Sequence, residues 1–270
     1  MLTVKALLVD FDGTACLQDV SELLLDTFGE PGWERFDDAV DRGEMGLREA
    51  GDHQVAMLRG TREEMLAFAL ERAELAPTFA PFVGWAEARG LPLVLASDGF
   101  AFYIRPILER AGLGHLQVVT NELVVSDESY RERDRSWSPG DVRILSATPQ
   151  DGSDRTPTGR SEHRPTGYLL RHPHGHPECV GCGTCKMLAA LKLRERHGPV
   201  AFVGEGQSDR YGALYSDVVF AKDALVEICE EDGVPYRPWE TFDDVRAAIE
   251  EADTLPGPVD PERCPGWRTP

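Results

Sequence analysis

An apolar run of strand length delivers two carboxylates onto a glycine turn near the start of this chain: Val4-Lys5-Ala6-Leu7-Leu8-Val9-Asp10-Phe11-Asp12-Gly13-Thr14. Side chains alternate between faces along a strand, but a pair at its tip can bend toward one point. Asp10 and Asp12 are then placed to share a divalent cation or to divide acid and nucleophile roles. A calcium loop also opens with D-x-D-G, yet it needs Gly at its sixth position and Glu at its twelfth. Counting from Asp10, those positions hold Ala15 and Ser21. The calcium reading fails. The plain alternative is a strand that ends in two solvated acids.

The length, 270 residues, suffices for one large domain or a domain with a cap. With 41% apolar and 28% charged residues the chain reads as globular and soluble. No run approaches the roughly 18 consecutive apolar residues of a membrane span. No membrane partner is therefore expected, and because the N-terminus enters a strand with no charged-then-apolar leader, no signal peptide is expected and the cytoplasm is the default. A net charge of -19 argues against nucleic acid, which demands a basic footprint. Salt screens that charge beyond about 10 Å, so any attraction for a phosphate ester must be local.

Val4 to Asp10 reads as the first strand. From Asp19 to about Arg72 the apolar spacing is helical, punctuated by Pro31-Gly32 and Gly60-Thr61 into several short helices. This block, residues 16–79, separates the first strand from the rest and is expected to be an inserted helical cap. The core domain is then 1–15 and 80–252, with 253–270 a Pro-rich, frayed tail. A helix from Phe79 to Arg89 leads into a strand over Leu91–Ala96, a turn at Ser97-Asp98-Gly99, and a helix from Phe102 to Ala111. His115 to Ser126 reads as strand or hairpin. Asp127 to Pro177 is polar and nearly free of apolar periodicity, an insert of functional or partly disordered kind. Regular pattern resumes with a helix over Lys186–His197 and a strand over Pro199–Gly204. A helix over Ser208–Ser216, a strand over Val218–Ala221, and helices near Ala224 and Phe242 follow. Alternating strands and helices with polar tips predict an open parallel α/β sheet whose site lies at the strand C-termini.

Four element ends carry matching chemistry. Asp10 and Asp12 follow the first strand, Ser97 follows the second, Lys186 begins a helix, and Glu205 and Asp209 follow Phe202-Val203-Gly204. Singly each has a dull reading: Ser97 as a helix N-cap, Lys186 as a surface lysine, the acids as complements to a helix dipole. Together, in this order, they point to one site.

Three of the six cysteines crowd into Cys179-Val180-Gly181-Cys182-Gly183-Thr184-Cys185, which is no disulfide framework. An iron–sulfur run wants a further Cys three residues on, followed by Pro, where this chain has Met187-Leu188-Ala189-Ala190. A zinc site needs four N/S ligands. His176, with His174 and His172 as alternates, would complete the set Cys179, Cys182 and Cys185. Alternatively the thiols pack a turn that aims Lys186.

The order DFDGT, S-D-G, Lys and GEGQSD resembles the haloacid dehalogenase-like hydrolases, specifically the phosphoserine-phosphatase-like branch with a helical cap after the first motif. The resemblance covers about Val4 to Glu250 apart from the polar insert. The cysteine cluster running into Lys186, and Ser216-Asp217-Val218-Val219-Phe220-Ala221-Lys222, are further similar to the methionine-salvage phosphatases. What this implies is a Rossmannoid parallel sheet flanked by helices, and a magnesium-dependent phosphomonoesterase. It implies Asp10 as nucleophile forming an aspartyl-phosphate and Asp12 as acid and base. Ser97, Lys186, Gly99 and the backbone at Asp98 would bind the phosphoryl group. Magnesium would sit on Asp10, the Asp12 carbonyl and a fourth-motif acid. There the chain departs from the family, with Glu205 where Asp is usual; Glu205 as ligand supported by Asp209, or Asp209 itself, fills the place. The expected partner is a small phosphorylated metabolite, with a homodimer left open. Phosphoserine, homoserine phosphate or a natural-product phosphate are rival substrates, with Asp19, Glu22 or Met45 as candidate contacts. A weakly catalytic binding protein is the rival outside the enzyme class.

Overall fold

The computed structural model describes residues 2–126, 167–252, 255–257 and 259. Most of the expected polar insert and of the C-terminal tail, Cys264 included, lies outside these residues.

The first strand, β1 (Ala6–Val9), has no exposed position. A strand buried on both faces has neighbours on both edges and helices above and below, which explains the unbroken apolar run. β1 pairs in parallel with β2 (Leu93–Phe100) on one side, Leu7 opposite Leu93, and with β5 (Val200–Gly204) on the other, Leu7 opposite Ala201. The sheet extends through β3 (Gln117–Val125) and β4 (Tyr168–Arg171) beyond β2, and through β6 (Val218–Ala221) and β7 (Arg237–Pro238) beyond β5. Its order is β4-β3-β2-β1-β5-β6-β7, parallel except for the antiparallel β3–β4 pair.

The period of two divides the core. Leu7, Val9, Leu95, Ala201, Val203 and Phe220 face one layer. There they meet α5 (Phe79–Ala88), α6 (Ala101–Arg110) and α10 (Phe242–Glu250), through Phe82, Ile107 and Val245. Ala6, Leu8, Val94, Ala96, Phe202 and Val219 face the other. Met187, Ala190 and Leu193 of α7 (Lys186–His197) cover them, with Ala213 of α8 (Arg210–Leu214) and Leu225 and Ile228 of α9 (Ala224–Asp232). Four helices lie between β1 and α5 in the chain: α1 (Val20–Phe28), α2 (Arg35–Asp41), α3 (Leu47–Ala56) and α4 (Arg62–Arg72). Among the described residues no helix is long and apolar enough to cross a membrane.

Three local expectations need correction. β2 does not stop at Ala96; it runs through Ser97-Asp98-Gly99, with a register shift against β3 between Ala96 and Phe100. That irregularity does the work expected of a turn. Within the stretch read as featureless, Tyr168–Arg171 forms the edge strand β4, pairing Leu123 with Leu170. Its apolar run is too short to register as periodicity. The beginning of the tail is tied down: Pro256 bridges Val218, and the Gly257 N–H donates to the Asp217 carbonyl.

Leu8 at the centre of the sheet has no solvent exposure. Leu8→Ala is expected to lower unfolding free energy by about 2–5 kcal/mol. Urea denaturation checks this, and a loss within about 0.5 kcal/mol, ordinary for a surface position, contradicts the assignment of the core.

Candidate active site

At the C-terminal edge of the sheet, the chain leaves β1 through Asp10, whose N–H still donates to the Val203 carbonyl at 2.9 Å. It then turns sharply over Phe11–Ala15, with Gly13 at φ +71°. A side chain at Gly13 would press on the Glu205 carboxyl at 2.9 Å, so both the backbone conformation and the space require glycine.

Lys186, first residue of α7, reaches back under the sheet edge and is buried. Its Nζ donates to Asp10 Oδ1 at 2.7 Å, Asp209 Oδ1 at 2.6 Å and Ser208 Oγ at 2.9 Å. Burial works against its charge, but Asp10, Asp209 and Asp98 outweigh it and hold the ammonium protonated. Asp209 is fully buried, and its other oxygen accepts the N–H groups of Glu205 (2.8 Å) and Gly206 (3.1 Å). Every oxygen of Asp209 is thus engaged in holding Lys186 and the loop after β5. Glu205 instead lines the cavity.

One ligand oxygen each from Asp10, Glu205 and Asp209 lie within 4.8 Å of one another. Three carboxylates around one ammonium leave a deficit of positive charge. Burial, Asp209 and Asp19 push Glu205 up to about 7, and burial with Asp209 pushes Asp10 upward against the pull of Lys186. An all-oxygen, net-negative cluster suits a hard divalent cation.

Asp12 is held separately. Its Oδ1 accepts the Val20 N–H at 3.0 Å, and its Oδ2 meets Ser97 Oγ at 3.0 Å and the Tyr103 hydroxyl at 2.8 Å. Burial, then Asp19, lifts its carboxyl to about 7 despite those three donors. Ser97 Oγ in turn accepts the Gly99 N–H at 2.8 Å. Gly99 has no room for a Cβ, which would collide with the Tyr103 hydroxyl and Asp12 Oδ2. Asp98 turns away from this cluster: its Oδ1 accepts the Thr184 N–H at 2.6 Å, and its carbonyl accepts Asn121 Nδ2 at 2.7 Å. Its side chain therefore ties β2 to the cysteine segment.

A cavity of about 310 Å³ opens over these groups, lined from below by Asp10, Asp12, Ser97, Asp98, Gly99, Glu205 and Ser208. From above it is lined by Asp19, Glu22, Leu25, Trp33, Arg48 and Gln54 of the segment between β1 and β2. Asp19 and Glu22 are therefore at the cavity as expected, whereas Met45 is not among its lining residues. His172 closes one side: Nδ1 faces Asn121 Oδ1 at 2.9 Å and Nε2 faces Asp52 Oδ1 at 3.0 Å, linking β3 to α3.

His176, Cys179, Cys182 and Cys185 do line one small cavity, beside Lys186, Ser208 and Tyr211. No three of their ligand atoms draw together to within 4.8 Å as those of the carboxylates do. His176 Nδ1 accepts the N–H groups of Glu178 and Cys179, which places its neutral-state proton on Nε2. Cys185 Sγ accepts the Leu188 N–H and so caps α7, and Cys179 Sγ accepts the Gly181 N–H. These bonds organise the turn before Lys186.

Residues 7–141 match the family of haloacid dehalogenase-like hydrolases. The chain belongs to that family. A 2-hydroxy-3-keto-5-methylthiopentenyl-1-phosphate phosphatase of Bacillus velezensis is 24% identical over 253 residues, spanning 93% of this chain and 92% of that protein. The protein of the same name from Geobacillus kaustophilus is 27% identical, spanning 92% and 97%. Among solved structures, a phospho-aspartyl intermediate analogue of phosphoserine phosphatase superposes with a TM-score of 0.60 at 16% identity. It covers 93% of this chain and 99% of that one. The fold of this family member is therefore that of the phosphoserine phosphatases.

Sequence reasoning missed Tyr103 and Asn121 as site residues and named His172 only as an alternate zinc ligand, whereas it lines the cavity. Tyr103 sits on the buried face of α6, where an aromatic reads as core. Gly99→Ala is expected to cost about 1–3 kcal/mol by overpacking, whereas Gly206→Ala, where a Cβ meets open space, should stay within about 0.5 kcal/mol. Thermal and urea unfolding of both variants check the contrast; equal losses contradict it.

Proposed function

We propose that this family member is a magnesium-dependent phosphomonoesterase of a small phosphorylated metabolite, with Asp10 as nucleophile and Asp12 as acid and base. The observation that carries the reading is Asp10 itself, buried at a strand tip and held 2.7 Å from an ammonium that Asp209 shares. Such a carboxylate is oriented and charge-stabilised for attack at the mouth of a cavity large enough for a metabolite.

A free oxygen of Asp10 attacks phosphorus, the ester P–O bond breaks, and Asp12 gives its proton to the departing alcohol oxygen. Asp12, now ionised, takes a proton from the water that attacks the aspartyl-phosphate, releasing inorganic phosphate and restoring Asp10. A carboxyl raised to about 7 can serve in both directions near neutral pH. The hydroxyl of Ser97 would meet a phosphoryl oxygen, and Lys186, its three N–H groups on Asp10, Asp209 and Ser208, would supply positive charge beside the one that develops in the transition state. Magnesium, held by Asp10, Glu205 and the Asp12 carbonyl with Asp209 behind, would supply further positive charge to that group. We assign Glu205 the direct contact because Asp209 is already committed to Lys186 and two backbone amides. Zinc has no part in this reading.

The helices α1 to α4 act as a cap that closes the cavity and sets specificity. Leu25, Trp33 and Leu170 supply apolar surface beside the polar Arg48 and Gln54, which suits the 2-hydroxy-3-keto-5-methylthiopentenyl 1-phosphate of the relatives' names. A second reading is phosphoserine, because Asp19, Glu22 and Arg48 offer both signs of charge to a zwitterion.

Asp10→Asn should abolish hydrolysis of p-nitrophenyl phosphate, and a chelator should do the same reversibly; retained turnover in Asp10→Asn contradicts the mechanism. Glu205→Gln is expected to raise the magnesium needed for half-maximal activity roughly tenfold or more. An unchanged requirement would give the contact to Asp209. Turnover of a panel of metabolite phosphates decides between the substrate readings.

A further inference from the structure

We infer that Tyr103 is a positioning residue for the acid/base step: its hydroxyl holds Asp12 Oδ2 in place when Ser97 turns to the phosphoryl group. The inference rests on the reading of Asp12 as acid and base given above.

The two oxygens of Asp12 are not equivalent. Oδ1 faces the backbone N–H of Val20, which can only donate. Oδ1 therefore stays an acceptor in both protonation states, and the proton of the neutral acid belongs on Oδ2. The direction of Oδ2 decides whether that proton meets the leaving oxygen. Two hydroxyls fix it, Ser97 Oγ at 3.0 Å and Tyr103 OH at 2.8 Å.

Those hydroxyls differ in what else they do. Ser97 lines the cavity and its Oγ already accepts the Gly99 N–H. A hydroxyl has one proton to give. Once Ser97 donates it to a phosphoryl oxygen, it can no longer donate it to Oδ2. The proton of Tyr103 has no such second claim on it, since Ser21, the other hydroxyl beside the phenol, is turned to Asp19 Oδ1 at 2.7 Å. Tyr103 is completely buried, is not among the residues lining the cavity, and is packed by Phe11, Phe100 and Phe102 at centroid distances of 6.5, 5.7 and 5.5 Å. Its phenol reaches the acid over Gly99, where any side chain would collide with both groups. The glycine of the S-D-G motif thus has a use beyond the phosphate: it lets a tyrosine behind the site touch the acid.

A tyrosine buried for packing alone also seeks an acceptor, so the test must read chemistry. Phenyl phosphate needs its leaving oxygen protonated far more than p-nitrophenyl phosphate does. The ratio kcat/KM reports the steps through loss of the alcohol. Tyr103→Phe, which keeps the ring and its packing, is expected to lower kcat/KM about tenfold or more for phenyl phosphate and within about twofold for p-nitrophenyl phosphate. Asp12→Asn, measured on the same pair, should show the same selectivity in stronger form. Equal losses on both esters in Tyr103→Phe, or none on either, while Asp12→Asn stays selective, overturn the role of Tyr103 alone. Equal losses in Asp12→Asn overturn the acid/base reading and with it this inference.

Discussion

A single buried ammonium organises this molecule's active edge. Lys186 is shared between Asp10, at the tip of β1, and Asp209, in the loop after β5. Taking these charges out of water is costly, and the cost is offset only when geometry is good and the remaining oxygens are bonded. Asp209 meets that condition through two backbone amides. Asp10 does not meet it fully, and with Glu205 nearby the cluster is left short of positive charge. A structure built for stability alone would gain by replacing such a cluster with apolar groups. Its position at the mouth of a cavity is what the proposed binding of a cation and a phosphate would use.

The rest of the architecture serves that cluster. The parallel sheet is buried on both faces, so its polar residues collect at the C-terminal ends of β1, β2 and β5. The cysteine segment enters through hydrogen bonds that cap α7 and tie Thr184 to Asp98, fixing the approach of Lys186. The His172 bridge from Asn121 to Asp52 joins the sheet to the helices above the cavity.

Much of this was legible in the sequence, for a definite reason. Strand tips are where apolar runs meet acids and glycines, so Asp10, Asp12, Ser97, Glu205 and Asp209 announce themselves by position. Lys186 stood out only through its order among them. Tyr103 and Asn121 carry no such mark, because their partners are set by tertiary packing across 91 residues in one case and 23 in the other. β4 was hidden by brevity, since Tyr168–Arg171 is four residues long and an edge strand needs apolar surface on one face only. The cysteine spacing suggested zinc because spacing cannot say where a sulfur points; Cys179 and Cys185 accept backbone N–H groups, as a thiol or a metal-bound thiolate equally can.

The central claim is that Asp10, oriented by Lys186, becomes covalently phosphorylated. Rapid quenching of a turnover mixture followed by borohydride reduction converts an aspartyl-phosphate to homoserine, which peptide mass spectrometry locates. The account predicts that change at position 10 alone, present only with substrate. Its appearance at another residue, or steady turnover with position 10 unmodified and inversion at phosphorus, would contradict it.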